Sequence, residues 1–384
     1  MMVIMTWCVH IKADHQVKIA YILSNINKAL AFEWIACGLR EEFDLFFILL
    51  YPGESHLEKF LREKNIKVYP VYYSGKKDLL PALFKIRRIL TREKADIVHA
   101  HLLDGGLAGL YAARLAGVKK RIYTRHHATS HHVYHPHAVR YDRLINRMAT
   151  KVVATSLNVK QVLMEKEGVS EGKIEVIHHG FDLSAFANED AGKVLAMKLR
   201  YNPDSKSPVI GVISRYIELK GIQYTVEAFK KILTAFPGAL LILANSTGRY
   251  KAVITAMLKE LPQGSYLEIP FENDLVHLYR LFDVHVHVPV DSHSEAFGQT
   301  YVEALAAGIP SVFTMSGVAP EFISNRRNAL VVPFRNSEAI AASVMELLAD
   351  KDLMKLIIDN GRKDVWDKFS IEGMLSALKK LYRK

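Results

Sequence analysis

The chain has 384 residues, more than one hydrophobic core usually supports, so its length predicts two domains of similar size. Hydrophobic residues make up 50% of the chain and charged residues 24%, as in ordinary globular proteins, and two cysteines, Cys8 and Cys37, exclude a disulfide framework. The net charge of +11 lies mostly in residues 1–183. This positive charge would attract polyanions such as anionic lipid, nucleic acid or phosphorylated acceptors. The alternative is a solvated basic surface that binds no partner.

The N-terminal end of the sequence bears on localisation. No run approaches the roughly 18 uncharged apolar residues that a membrane-spanning helix needs. Residues 1–10 are apolar but too short to span, and they contain neither a basic leader nor a small-residue cleavage site. We interpret them as an extension before the first strand, with Met5 as an alternative start. Together with the low cysteine content, these features predict a cytoplasmic protein.

Short apolar runs alternate with segments of helical periodicity throughout the first half. The helix predicted over residues 81–94 shows the pattern: Leu83, Ile86 and Leu90 share one face, and basic residues take another. The runs have no wet face, which is typical of parallel strands covered on both sides. Strands are predicted over residues 18–23, 45–51, 66–69, 97–100, 121–124, 151–154 and 174–177.

The second half repeats this alternation, so the chain is predicted to be an α/β protein with two Rossmann-like, doubly wound domains facing each other across a cleft. The boundaries are placed at residues 1–183 and 184–361, with a C-terminal helix over 362–384 that could pack back on the first domain. Strands are predicted over 209–213, 239–244, 266–269, 284–288 and 309–313, and helices over 222–235, 250–261, 274–282 and 299–307.

The segment 211–221 has the residue types of a phosphate site. It joins a predicted strand to a predicted helix, so it offers the glycine Gly211, the positive end of a helix, and the cations Arg215 and Lys220. Arginine can bind phosphate oxygens in a bidentate manner, and lysine acts as a mobile point charge. These residues favour diphosphate binding, although two cations in a solvated surface loop would look the same.

A second segment, 291–310, carries two acidic residues around a predicted helix start. Glu295 lies in the loop and Glu303 on the helix, where both could accept hydrogen bonds from a hydroxyl-rich ligand. Between them, Phe297 and Gly298 would present free backbone N–H groups to a phosphate. The alternative makes Glu303 a solvated helix residue and Glu295 a charge at the helix start.

The ordered motifs of the chain resemble those of retaining family 4 glycosyltransferases with the GT-B fold. The pattern of Glu295, seven residues and Glu303 looks like the signature of that family, and the loop from Ser214 to Gly221 is similar to its phosphate-binding motif. The resemblance covers about residues 18–350. The other segments that resemble motifs of the family are Gly308 with Pro310, Gly317 with Glu321, 328–332, 96–101, 123–126 and 178–182.

The resemblance implies a role for each matching residue. Arg215 and Lys220 would bind the donor diphosphate and neutralise the leaving group, with Gly211 and Ser214 in the same loop. Glu303 would hold the ribose and Glu295 would lie near the transferred sugar. The other matching residues are Phe297 and Gly298, which would supply backbone donors, and His126, which would contact the transferred sugar.

The family also implies the partners. A UDP- or GDP-sugar would be the co-substrate, and no cofactor or metal is expected. A cell-surface glycan or lipid-linked acceptor would bind mainly to the first half. The basic helix over residues 81–94 and the run Lys119, Lys120 and Arg121 could contact anionic lipid on the inner face of the plasma membrane. No nucleic acid is expected, since no aromatic and basic strand is apparent.

Other functions stay open. A GT-B epimerase or phosphorylase could use the same cleft, and so could a non-catalytic protein that binds sugar nucleotides. Close histidines at 126–137 could ligate zinc, but no matching Cys or carboxylate cluster is apparent nearby. We therefore expect them to form a mobile, acceptor-facing loop that senses phosphate or pH, with simple solvent exposure of most of them as the alternative. They are His126, His127, His131, His132, His135 and His137.

Overall fold

The structure of the protein is a computed structural model that describes residues 16–187 and 190–384. The predicted N-terminal extension, with Met5 and Cys8, lies outside the described residues. The chain divides into two compact units, residues 1–122 and 123–384. The domain boundaries predicted at 183 and 361 stay predictions.

The first unit alternates strands and helices in chain order. Strand β1 pairs in parallel with β2 and with β4, and β2 pairs in parallel with β3. The central residues of β2 are buried on both faces of the sheet, as the continuous apolar sequence of this strand predicts. The elements are β1 (Lys18–Ser24), α1 (Leu30–Leu39), β2 (Asp44–Tyr51), α2 (His56–Glu63), β3 (Lys67–Tyr72), α3 (Leu79–Glu93), β4 (Ile97–His101) and α4 (Leu103–Leu115).

The next stretch of chain starts with β5, which spans the boundary between the units. Strands β5, β6 and β7 complete a seven-stranded sheet in the order β3-β2-β1-β4-β5-β6-β7. Helix α7 begins at a serine cap, because Ser156 Oγ accepts a hydrogen bond from the Val159 N–H. The elements are β5 (Lys120–Arg125), α5 (Ser130–Tyr134), α6 (Val139–Met148), β6 (Lys151–Ala154), α7 (Leu157–Glu165), β7 (Ile174–Val176), α8 (Ser184–Ala187) and α9 (Ala191–Tyr201).

The remaining strands form a second sheet of six strands in the order β10-β9-β8-β11-β12-β13. All of its pairings are parallel. The elements are β8 (Val209–Ile213), α10 (Ile222–Ala235), β9 (Leu240–Ala244), α11 (Lys251–Leu258), β10 (Tyr266–Ile269), α12 (Leu275–Tyr279), β11 (Val284–His287), α13 (Gln299–Ala306), β12 (Ser311–Phe313), β13 (Leu330–Val331), α14 (Ser337–Ala349), α15 (Lys351–Lys368) and α16 (Ile371–Arg383).

Hydrophobic clusters cover both faces of the second sheet. Leu241 and Leu243 on β9 belong to one cluster, and their neighbours Leu240 and Ile242 belong to the other. Successive side chains of a strand point to opposite faces, so this alternation places one core on each side. The predicted fold class, two Rossmann-like parallel sheets with helices, is confirmed.

The prediction of a single helix over residues 362–384 is wrong, because two helices meet there. Helix α15 ends at Lys368 and α16 begins at Ile371, where Ser370 Oγ caps the new helix by accepting from the Gly373 N–H at 3.2 Å. Backbone pairing explains the break: the Phe181 N–H donates to the Phe369 carbonyl, and the Ile371 N–H donates to the Phe181 carbonyl. Helix α16 therefore begins beside Phe181, and its Met374 Sδ accepts a hydrogen bond from the Gly180 N–H at 3.1 Å.

Candidate functional site

Two loops of the second unit start from neighbouring strands. Strands β8 and β11 pair in parallel, with Ile210 opposite Val284 and Gly211 opposite His285. The loops that follow them, 214–221 and 288–298, therefore leave the same edge of the sheet. This is the edge where open α/β sheets usually bind ligands.

The two loops contact each other directly. The Val290 N–H donates a hydrogen bond to the Leu219 carbonyl at 3.1 Å. Gly221 has φ +73°, and a Cβ on it would lie 1.9 Å from the Val288 carbonyl oxygen. Only glycine fits such a position without moving backbone. This close approach fixes Lys220 beside the loop that carries Glu295.

Lys220 and Glu295 form the centre of the site. The Lys220 ammonium donates a hydrogen bond to Glu295 Oε1, and His287 Nε2 lies 3.1 Å from the same oxygen. The Glu295 side chain is only 7% exposed, whereas Lys220 is 21% exposed. Burial by itself would raise the pKa of Glu295, but the charge of Lys220 and the contact with His287 lower that pKa to about 2. Glu295 is therefore a carboxylate that orients Lys220.

The loop after β8 contains the other predicted donor-binding residues. Arg215 has an exposed side chain, while Ser214 is buried and its N–H donates to the Ala244 carbonyl at 3.0 Å. Gly211 lies inside β8, where a Cβ would come within 2.1 Å of the Phe282 ring. Packing against Phe282 is thus a sufficient reason for this glycine. The roles of Gly211, Ser214 and Arg215 in ligand binding stay predictions.

Helix α13 begins where the sequence predicts it, directly after Gly298. Gly298 has φ +87° and no side chain caps the helix start. Phe297 before it is buried, with its ring 5.0 Å from that of His179 and 5.6 Å from that of Phe369. An uncapped helix start carries a partial positive charge and suits an anion.

Residues from the α7 start hold the backbone of the Glu295 loop. Asn158 Nδ2 donates to the Glu295 carbonyl at 2.6 Å, and Ser156 Oγ donates to the Ala296 carbonyl at 2.5 Å. Neither these residues nor His287 and Tyr279 were predicted from the sequence. For His287 a signal exists, because it is a polar residue at the last position of a buried strand, at the ligand-binding edge.

Glu303 lies farther along α13 in a different environment. Its Oε2 accepts a hydrogen bond from the Tyr279 hydroxyl at 3.1 Å. Loss of solvation raises the pKa of this half-buried carboxyl to about 7, although the bond from Tyr279 opposes the rise. Within residues 16–187 and 190–384, no hydrogen bond or ion pair joins Glu303 to Lys220 or Glu295.

The structure connects His126 to the start of α13 through a second ring. The His126 ring stacks on His179 with centroids 5.8 Å apart and an interplanar angle of 16°, and His179 packs edge-on against Phe297. Its neighbour His178 has Nε2 2.7 Å from Glu321 Oε2. The predicted motif residues of this region thus form one continuous set of contacts in the second unit.

Two family models match the chain and together cover most of it. Residues 36–185 match "Glycosyltransferase Family 4", and residues 197–364 match "Glycosyl transferases group 1". The chain belongs to glycosyltransferase family 4. The predicted recognition is confirmed, and the protein is a glycosyltransferase with the GT-B fold of two Rossmann-like parallel sheets.

Known proteins are similar to this glycosyltransferase along nearly its whole length. The N-acetyl-alpha-D-glucosaminyl L-malate synthase of Bacillus anthracis is 23% identical over 87% of this chain and 84% of its own. An Escherichia coli UDP-Gal:alpha-D-GlcNAc-diphosphoundecaprenol alpha-1,3-galactosyltransferase is 23% identical over 97% and 98%. The structure of Anabaena Alr3699/HepE in complex with UDP-glucose superposes with a TM-score of 0.82 at 20% identity, covering 96% of this chain and 100% of that one.

Among the described residues of this glycosyltransferase, no helix combines the length and the apolar character needed to cross a bilayer.

Proposed function

We propose that this glycosyltransferase transfers a sugar from a UDP- or GDP-sugar to a cell-surface glycan or lipid-linked acceptor, with retention of anomeric configuration. The single observation that carries the proposal is the Lys220 ammonium, held where two adjacent parallel strands end by Glu295, whose Oε1 also contacts His287. A fixed cation at this edge can bind a diphosphate and stabilise it as a leaving group.

Several groups near this edge would share the charge of the diphosphate. Lys220 keeps part of its surface exposed, Arg215 is exposed in the same loop, and α13 begins without a side-chain cap. Phe297 and Gly298 would supply backbone N–H groups at that helix start. Together they provide the fixed positive potential that bond breaking to a diphosphate needs.

Glu295 and Glu303 would have different roles in donor binding. Glu295 already accepts from Lys220, so it would keep that cation in place while its remaining oxygen faces the transferred sugar. Glu303 has one oxygen bonded to Tyr279 and would accept hydroxyl hydrogens of the ribose. His126 would contact the transferred sugar through its ring edge.

The transfer would need no metal or cofactor. The bond between the anomeric carbon and the diphosphate oxygen breaks, and the bond to the acceptor oxygen forms on the same face of the sugar. The acceptor proton passes to the departing phosphate oxygen, while Lys220 and Arg215 stabilise its negative charge. No protein carboxylate has to act as a nucleophile in this scheme.

The choice of acceptor rests on the relatives and on a surface of the first unit. The Escherichia coli relative carries a lipid diphosphate acceptor in its name. Helix α3 exposes two large apolar side chains, Leu80 at 66% and Phe84 at 61%, next to the exposed cations Lys85 and Arg88. An apolar and basic helix face suits peripheral binding to an anionic bilayer on the cytoplasmic side.

The donor site can be tested by thermal shift and nucleotide release with a panel of UDP- and GDP-sugars. We expect one donor class to stabilise the protein, and Arg215→Ala to reduce this shift and the transfer rate at least tenfold. Lys259→Ala removes an exposed cation at the end of α11 and serves as the matched control. Donor binding that Arg215→Ala leaves unchanged would refute the assigned site.

The acceptor and the stereochemistry need separate measurements. Polyprenyl-diphosphate sugars and small hydroxy acids such as L-malate form the acceptor panel, and the anomeric proton coupling of the product reports retention. Transfer to malate alone would overturn the lipid-linked proposal. Donor binding without transfer to any acceptor would instead indicate a non-catalytic protein.

The membrane contact is tested with vesicles that contain anionic phospholipid. We expect binding that weakens with salt and that Phe84→Glu abolishes, with Tyr111→Glu as a control at an exposed aromatic residue of α4. No binding of the unmodified protein at low salt would end this part of the proposal.

A further inference from the structure

Two histidines and an aspartate meet in the segment that follows β5. His131 Nδ1 lies 2.8 Å from Asp142 Oδ2, and His127 Nε2 lies 3.3 Å from the same oxygen. One ligand atom from each of the three residues falls within 4.8 Å of the others. The carboxylate partner lies on α6, well after the histidines in sequence, so only the fold brings it to them.

The two oxygens of Asp142 have different partners. Oδ1 lies 3.0 Å from Arg125 Nη1, and both of these side chains are fully buried. Among the described contacts of this carboxylate, those of Oδ2 are with the two imidazoles only. The charge of Arg125 therefore lies on one side of the carboxylate and leaves the other side to the histidines.

We infer that His127 Nε2, His131 Nδ1 and Asp142 Oδ2 bind a divalent ion of the zinc class, with water in the fourth position. Imidazole nitrogen and carboxylate oxygen are preferred zinc ligands. Bond lengths near 2.0–2.1 Å put tetrahedral ligand atoms about 3.3 Å apart. The two distances to Asp142 Oδ2, 2.8 and 3.3 Å, lie near this value.

A surrounding network would orient the carboxylate ligand. Arg125 also pairs with Glu167, and Glu167 Oε2 accepts a hydrogen bond from Asn146 Nδ2 at 2.7 Å. Glu167 and Asn146 are buried as well. Bonded partners of this kind are a regular feature of protein metal sites, because they fix the direction of the ligand oxygen.

The ion would have a structural role that is separate from sugar transfer. Between the two histidines, Thr129 Oγ1 donates to the His293 carbonyl at 2.8 Å. His293 belongs to the loop that carries Glu295. A metal that joins His127 to His131 and Asp142 would keep this contact in place and so stabilise the loop.

The test is metal binding by the full chain after treatment with a chelator. We expect calorimetry with Zn²⁺ to give about one ion per chain, and His131→Ala to weaken binding at least tenfold. His137→Ala is the matched control, because His137 is exposed and contacts Arg140 outside the cluster. Equal Zn²⁺ binding by the unmodified protein and His131→Ala would overturn the inference.

A second measurement covers the case in which His131→Ala fails to fold. Co²⁺ added to the unmodified protein should give the intense visible absorption of a tetrahedral site, and Zn²⁺ should displace it. Absence of this spectrum together with less than about one-tenth of an equivalent of bound Zn²⁺ would also overturn the inference.

Discussion

Tyr279 donates a hydrogen bond from its hydroxyl to Glu303 Oε2 over 3.1 Å. The two residues come from different helices, α12 and α13. Loss of solvation raises the pKa of Glu303 to about 7, and the bond from Tyr279 limits this rise. The carboxyl group therefore changes its charge near neutral pH.

Donor affinity is expected to depend on the charge of Glu303. An ionised carboxylate accepts ribose hydroxyls better than a protonated one, so affinity should rise as the pH increases through about 7. Tyr279→Phe removes a bond that lowers the pKa, so the midpoint should move to higher pH. Calorimetric titration with the nucleotide at several pH values measures both effects. The Glu303→Gln variant should bind the nucleotide weakly, and its affinity should show no midpoint near pH 7. A pH profile of affinity that Glu303→Gln leaves unchanged would contradict the assignment.

The pair of Glu295 and Lys220 is expected to make stability depend on pH. The folded pKa of Glu295 is lowered to about 2 from its ordinary 4.5, so the folded form releases this proton more readily. The stabilisation is complete above about 4.5 and is lost as the pH falls towards 2. At neutral pH, Glu295→Gln should lower the free energy of unfolding by about 3 kcal/mol, as measured with urea.

The control for this prediction is an exposed ion pair of the same type. Lys230 Nζ lies 2.7 Å from Glu260 Oε2, and the Glu260 side chain is 64% exposed. Because solvent screens such pairs, Glu260→Gln should change the free energy of unfolding little. Similar losses in Glu260→Gln and Glu295→Gln would show that burial of the pair has no special effect.

Gly221 is expected to be sensitive to the smallest substitution. A Cβ at this residue would overlap the Val288 carbonyl, which belongs to the neighbouring loop. Gly221→Ala should cost about 2 kcal/mol or more in unfolding free energy and should weaken donor binding by moving Lys220. Gly172→Ala is the control, since a Cβ there would meet no atom within 4 Å. Denaturant titration that finds equal stability in both variants would contradict this packing argument.

Helix α16 is expected to be required for stability of the second unit. Its buried residues Met374, Leu378 and Leu381 face the core, and the backbone at its start pairs with Phe181. Removal of residues 371–384 should lower the free energy of unfolding by about 5 kcal/mol, since each buried side chain contributes roughly 1.5–3. Removal of residues 383–384 alone should have a small effect. Equal thermal melting of both truncated chains would show that α16 adds no stability.

Local sequence determined most of the elements of this protein. The strand over 209–213 and the helix over 222–235 have the predicted bounds, because continuous apolar runs and helical periodicity are properties of neighbouring residues. The break between α15 and α16 could not be predicted in this way. It depends on pairing with Phe181, which is far away in sequence.

For the functional site, the sequence by itself determined which residue types stand in which order: the cations Arg215 and Lys220, the acidic pair Glu295 and Glu303, and the glycine at the start of α13. Motif spacing was enough to indicate the family, which the family models confirm. Only the tertiary structure decided the partners. Glu295 contacts both Lys220 and His287 because β8 and β11 are adjacent in the sheet, although 74 positions separate the paired Ile210 and Val284. Hydrogen bonds and burial depend on such long-range neighbours, and these also set the opposite pKa shifts of the two glutamates.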